Sequence, residues 1–171
     1  MKENELFITH EGVEKPKYLF HGTPVAGIKN FHPRVSLGSG EVDGPQVFAT
    51  DDLAWASIMM SSVGKRWSSG KYEGGWYAVI PLTRAEFIAQ DKGGYLYALP
   101  SISFIKNGRS GVSEHEWKSP VSVEPVATKH ITSVLDEMKR LGVKVYFVTD
   151  EEYSQYISQG GAHYLKTLQA E

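Results

Sequence analysis

Three separated stretches carry residue types that could do chemistry: His21-Gly22-Thr23, Phe48 within Val47-Phe48-Ala49-Thr50-Asp51, and Glu114-His115-Glu116-Trp117. The glutamate pair has the most informative spacing. In an extended strand, residues two apart point to the same face, so both carboxylates can line one site. Each stretch also has a plain structural reading. His-Gly-Thr is equally a strand running into a turn, Phe48 a core aromatic, and the glutamates a solvated strand face. Other chemistry is excluded more simply. With no cysteine in 171 residues, thiol catalysis, disulfides, iron–sulfur clusters and Cys-ligated zinc are ruled out. His10, His32, His115, His130 and His163 show no HExxH or comparable spacing, and no metal is expected. Gly38-Ser39-Gly40 has no GxGxxG continuation into a helix, which argues against a Rossmann or P-loop site.

The elements that must position these residues are legible in outline. Lys17-Tyr18-Leu19-Phe20-His21 reads as a strand closed by Gly22, Thr23 and Pro24. Residues 24–46 form a long Gly- and Pro-rich connection of the kind that is often functional. A second strand, Gln46 to Thr50, runs into a helix over about 52–63, with Thr50 or Asp51 as its cap. Gly64 to Gly75 reads as a loop. Trp76–Ile80 and Tyr95–Leu99 read as strands ended by prolines, Ser101–Ile105 as an apolar alternating run, and Asn107-Gly108 as a turn. Gly108 to Gly111 forms either a hairpin tip or a mobile loop ahead of the glutamates. Gly111 to Val123 is extended, and Trp117 is expected to pack beneath the glutamate strand. A second helix is predicted over about 128–141, stopped by Gly142. Val143–Val148 reads as a buried strand, and Asp150 caps a short last helix. The pattern is strand-rich α+β, without the regular alternation of a parallel α/β fold.

Composition bounds the function. Hydrophobic residues make up 41% and charged residues 22%, which describes a globular chain and one domain over 1–171. Lys and Arg number 18 against 20 Asp and Glu, a net charge of −2, so the basic footprint of a dedicated nucleic-acid binder is missing. No apolar run approaches the ~20 residues of a membrane span. The first residues lack the apolar stretch and small-residue cleavage site of a signal peptide, and a cytoplasmic location is expected.

Taken in order, the three stretches resemble the ADP-ribosyltransferase superfamily, in its diphtheria-toxin-like and poly(ADP-ribose) polymerase-like branch. That branch carries His-Gly-Ser/Thr on its first strand, a strand–helix motif of the form Tyr-Phe-Ala-Asp, and a late glutamate. The resemblance spans His21 to about Trp117. It implies a split antiparallel β-sandwich with flanking helices, with NAD as substrate in a cleft between two sheets. It further implies that Gly22 lets the backbone approach the nicotinamide amide and that His21 and Thr23 hold the adenosine-side ribose. Phe48, standing where many members have Tyr, would stack on the nicotinamide ring. Glu116 would accept the 2′-hydroxyl of the nicotinamide ribose and stabilise the oxocarbenium-like charge. Tyr95 and Tyr97 would either wall the nicotinamide or pack in the core. Glu114-His115-Glu116 also matches the Glu-x-Glu of arginine-directed toxins, where the first glutamate serves the acceptor. Those toxins open on an arginine and this chain on His21, so the catalytic role is assigned to Glu116 and that of Glu114 stays open.

The activity so implied is mono-ADP-ribosyl transfer or NAD hydrolysis, in a small bacterial or phage-type architecture. At 171 residues there is no room for the extra domains of chain-extending members. The acceptor of the ADP-ribose is not specified by these residues. Two alternatives stand beside it. One is a catalytically silent NAD- or nucleotide-binding module. The other is an NAD-dependent RNA 2′-phosphotransferase, which needs several Arg and His residues to grip phosphates, whereas Arg34 alone stands near the first motif.

Overall fold

The chain's structure is a computed structural model that describes residues 6–8, 14–35, 44–64, 67–107 and 114–171. Apolar residues at strand spacing build two sheets. The larger has six strands: Tyr18–Thr23 (β1), Val47–Thr50 (β2), Gly94–Pro100 (β5), Ile105–Lys106 (β6), Glu116–Ser119 (β7) and Ala127–Ile131 (β8). Its spatial order is β6-β7-β2-β1-β5-β8, with every neighbouring pair antiparallel. The smaller sheet orders Ser68–Tyr72 (β3), Gly75–Ile80 (β4) and Lys144–Phe147 (β9), with β4 and β9 parallel. Four helices accompany them among the described residues: Leu53–Ile58 (α1), Arg84–Gln90 (α2), Val134–Arg140 (α3) and Asp150–Ser158 (α4). A 3-10 helix follows at Gly161–Thr167. The architecture is α+β with antiparallel sheets and few helices.

Strand alternation sends successive side chains to opposite faces, which splits the core. Phe20 and Leu96 of the larger sheet join Ala78, Ile80 and Val145 of the smaller one, together with apolar residues of α1 and α3. Leu19, Val47, Ala49, Tyr97 and Trp117 form a second cluster with Phe31 and Phe104. A third, rich in tyrosine, lies under α4 and the 3-10 helix.

Several local expectations are corrected. Residues 127–131 form β8 along β5, and the helix predicted from 128 begins only at Val134, with Ser133 as its N-cap. Ile131 fits the apolar stripe of that helix but is the buried end of a strand whose Thr128 and His130 face outward. Gly142 does stop α3, at φ +80° where a side chain would be strained. Asp52, not Thr50 or Asp51, caps α1, which ends at Ile58 instead of running on towards 63. The stretch read as a loop after Gly64 contains β3, a strand of mostly polar residues. Helix α2 was not foreseen, although Thr83 and Glu86 form a capping box that marks it. The alternating run placed at 101–105 is a turn that ends in β6. Thr149, not Asp150, caps α4.

Candidate functional site

His21 stands on β1 beside β2. The carbonyl of Phe48 can only accept, so the 2.7 Å contact to His21 Nδ1 places the proton on Nδ1 and leaves Nε2 as an acceptor. Burial pushes the His21 pKa down, the Phe48 bond opposes that shift, and Arg34 adds to it. The result is a neutral imidazole whose Nε2 suits a hydroxyl or N–H donor. Its ring centroid lies 4.7 Å from that of Phe31.

Gly22 has a packing reason to be glycine. A Cβ there would lie 1.8 Å from the Ala56 carbonyl oxygen, so its absence lets α1 settle onto β1. Thr23 Oγ1 accepts from the Val25 N–H at 3.3 Å. Tyr97 is fully buried; its hydroxyl donates to the Val25 carbonyl at 2.9 Å and accepts from the Ile28 N–H at 3.1 Å. Tyr97 thereby fastens the start of the long connection, and neither it nor Tyr95 lines the cavities described next.

Two cavities meet at these residues. One, of about 320 Å³, lies between β1, β2, β7 and α1, and its wall includes His21, Gly22, Phe48, Trp55, Met59 and Glu116. The other, of about 260 Å³, is walled by His21, Thr23, Asn30, Phe31, Arg34 and Phe48, among others. His21 and Phe48 line both, so they stand where the two adjoin. Glu116 is the only acidic or basic side chain among the described residues around the first cavity besides neutral His21. Arg34 is the only Lys, Arg, Asp or Glu among those around the second. Residues separated by almost a hundred positions thus line two cavities that share His21 and Phe48, one with a carboxylate in its wall and the other with a guanidinium.

Glu116 opens β7, opposite Thr50 of β2. One carboxylate oxygen accepts from Asn107 Nδ2–H at 2.5 Å, and the Asn107 backbone N–H donates to the Glu116 carbonyl at 2.9 Å. Asn107 sits across the β6–β7 pair from Glu116, a contact that no local sequence signal announced. Glu114 lies before β7 in a turn, so strand alternation does not relate the two glutamates. It is exposed, 3.8 Å from Lys71 Nζ, and lines neither cavity. The candidate acceptor loop at 108–111 lies outside the described residues.

Trp55 was also missed by the sequence reading. It stacks on Trp76 with centroids 4.8 Å apart, and Trp76 donates its indole N–H to Asp52 at 2.7 Å. Asp52 Oδ1 accepts from the Ala54 N–H at 2.8 Å, so one carboxylate caps α1 and anchors the Trp pair on the cavity wall. Trp117 is buried beneath the glutamate strand, as expected, and donates to Asp51 at 2.9 Å.

Comparison with protein-family models, curated proteins and solved structures found no match to this chain. Among the described residues, no three His, Asp or Glu side chains converge as metal ligands, and no helix is long and apolar enough to cross a membrane.

Proposed function

We propose that the chain is an NAD-dependent mono-ADP-ribosyltransferase or NAD glycohydrolase, built as a split antiparallel β-sandwich with flanking helices. The observation that carries this reading is that His21, Phe48 and Glu116, from three strands far apart in sequence, line one cavity. Charge placement supports it: a carboxylate in the wall of one cavity and a guanidinium in the wall of the other suit a dinucleotide with a cationic ring at one end and phosphates towards the other. In this reading nicotinamide stacks on Phe48, and His21 Nε2 accepts a ribose hydroxyl. The bond between the ribose C1′ and the ring nitrogen breaks, and its electron pair leaves with nicotinamide. Glu116 holds the 2′-hydroxyl and faces the positive charge that grows on the ribose. Water or an acceptor nucleophile then bonds to C1′ from the opposite side and loses its proton.

The test is direct. Incubation of the protein with NAD should release free nicotinamide, measured by chromatography, and calorimetry should detect NAD binding. Binding without release would make the protein a nucleotide-binding module. No binding at millimolar NAD would refute the reading.

A further inference from the structure

Asp51 is a buried carboxylate that lines neither cavity. Its two oxygens are taken by the two residues that flank Glu116. Oδ1 accepts from His115 Nδ1–H at 2.9 Å, and Oδ2 accepts from Trp117 Nε1–H at 2.9 Å. The Asp51 backbone N–H also donates to the His115 carbonyl, at 3.3 Å. Register explains the meeting: Thr50 stands opposite Glu116 across β2 and β7, so the next residue along the chain arrives at His115. Since His115 donates from Nδ1, its Nε2 is an acceptor, and Lys71 Nζ donates to it at 2.7 Å. Lys71 belongs to β3, so a chain of three side chains ties the smaller sheet to the start of the glutamate strand.

Asp51 holds the side chain on either side of Glu116, His115 from the turn before β7 and Trp117 from β7 itself, so it fixes the backbone at both flanks of Glu116 and with it where that carboxylate points. We propose that Asp51 is the positioning residue for Glu116: it touches no substrate and fixes the direction in which the carboxylate enters the cavity. This rests on the proposed NAD-cleaving activity. Asn107 steadies one carboxylate oxygen from across the hairpin, while Asp51 steadies the backbone that carries it.

Asp51→Asn keeps the shape but sets an N–H donor against one of two N–H groups that both need an acceptor. Nicotinamide release should fall about 10- to 100-fold in kcat, the scale of a misplacement of about 1 Å, with KM for NAD within about twofold of the parent. The indole N–H resonance of Trp117, one of four tryptophans, should move. Trp117→Phe removes one of the two donors, keeps the ring, and should produce a smaller fall in kcat. The double variant should fall by less than the product of the two, because both act through one contact. An active parent whose folded Asp51→Asn variant keeps kcat within twofold overturns the role of Asp51 and leaves the proposed activity standing. Should Asp51→Asn fail to fold, Trp117→Phe decides, and an unchanged kcat overturns the proposal. A parent that releases no nicotinamide overturns the proposed activity and the role of Asp51 with it.

Discussion

Glu116 acts as an anion in the proposed reaction, so Glu116→Gln separates binding from chemistry. The substitution keeps the shape and removes the charge. Calorimetry should show NAD binding close to that of the parent, while nicotinamide release falls on the order of a hundredfold or more. Glu114→Gln is the internal control: its side chain is exposed and outside both cavities, and release should stay near the parental rate. An equal or larger loss in Glu114→Gln would reverse the two assignments. On the binding side, Phe48→Ala removes a ring that lines both cavities and should weaken NAD binding by about 1–3 kcal/mol, the usual scale for aromatic–base stacking. That His21, Phe48 and Glu116 line one cavity follows an order of strand signals visible in the sequence, with His21 inside β1, Phe48 inside β2 and Glu116 at the start of β7. Asn107 was not legible there, because its partnership with Glu116 runs across a strand pair and leaves no periodic trace. Reading the two glutamates as one strand face failed for a related reason. The two-residue repeat holds only inside a continuous strand, and β7 begins at Glu116.

Helix α1 is the element on which the cavity depends, since it brings Trp55, Ala56 and Met59 to the wall. Its seat on β1 is set by Gly22, which was assigned to ligand approach from the sequence and is explained by helix packing in the structure. Gly22→Ala forces a methyl into the Ala56 carbonyl, a backbone atom that cannot swing aside as a side chain would. Denaturant unfolding should show a loss of about 1–3 kcal/mol or more, the range for overpacked interiors. A variant as stable as the parent would show that α1 can retreat cheaply. The cap of the same helix is expected from the sequence at Thr50 or Asp51 and falls instead on Asp52, one residue on. Asp52 takes the helix N–H groups and Asp51 the glutamate strand, and only tertiary pairing separates them. The start of α3 was misread because Ile131 satisfies both a helical stripe and a strand alternation. Strand β3 was overlooked because partners, not its own apolarity, hold it in the sheet: Ser68, for example, pairs through its hydroxyl with that of Tyr153.

Over the whole molecule, the division into a six-stranded and a three-stranded sheet leaves the two cavities beside the larger one, and His21 stands where they adjoin. The α+β class was legible from strand signals and irregular spacing; the order β6-β7-β2-β1-β5-β8 was not, since long-range pairing leaves no local mark. The placement of His21 couples the fold to pH. Burial lowers its pKa below the ordinary imidazole value of 6.5, so the unfolded chain takes up the proton more readily than the folded one. The stability contributed by the neutral ring is therefore complete well above pH 6.5, and it is lost as the pH falls below that value towards the folded-state pKa. His21→Asn offers an amide N–H to the Phe48 carbonyl and carries no titrating group. Thermal melting from pH 8 to pH 5 should show the parent losing more of its melting temperature below about pH 6.5 than His21→Asn does, with the two profiles running parallel above pH 7. Profiles that stay parallel down to pH 5 would mean that His21 takes up its proton equally in both states. NAD binding should weaken over the same range, because protonation of Nε2 replaces the acceptor offered to a ribose hydroxyl with a donor. Calorimetric titrations at pH 7.5 and pH 5.5 read this directly. A weakening in the parent that His21→Asn does not share assigns the pH dependence of binding to this one imidazole.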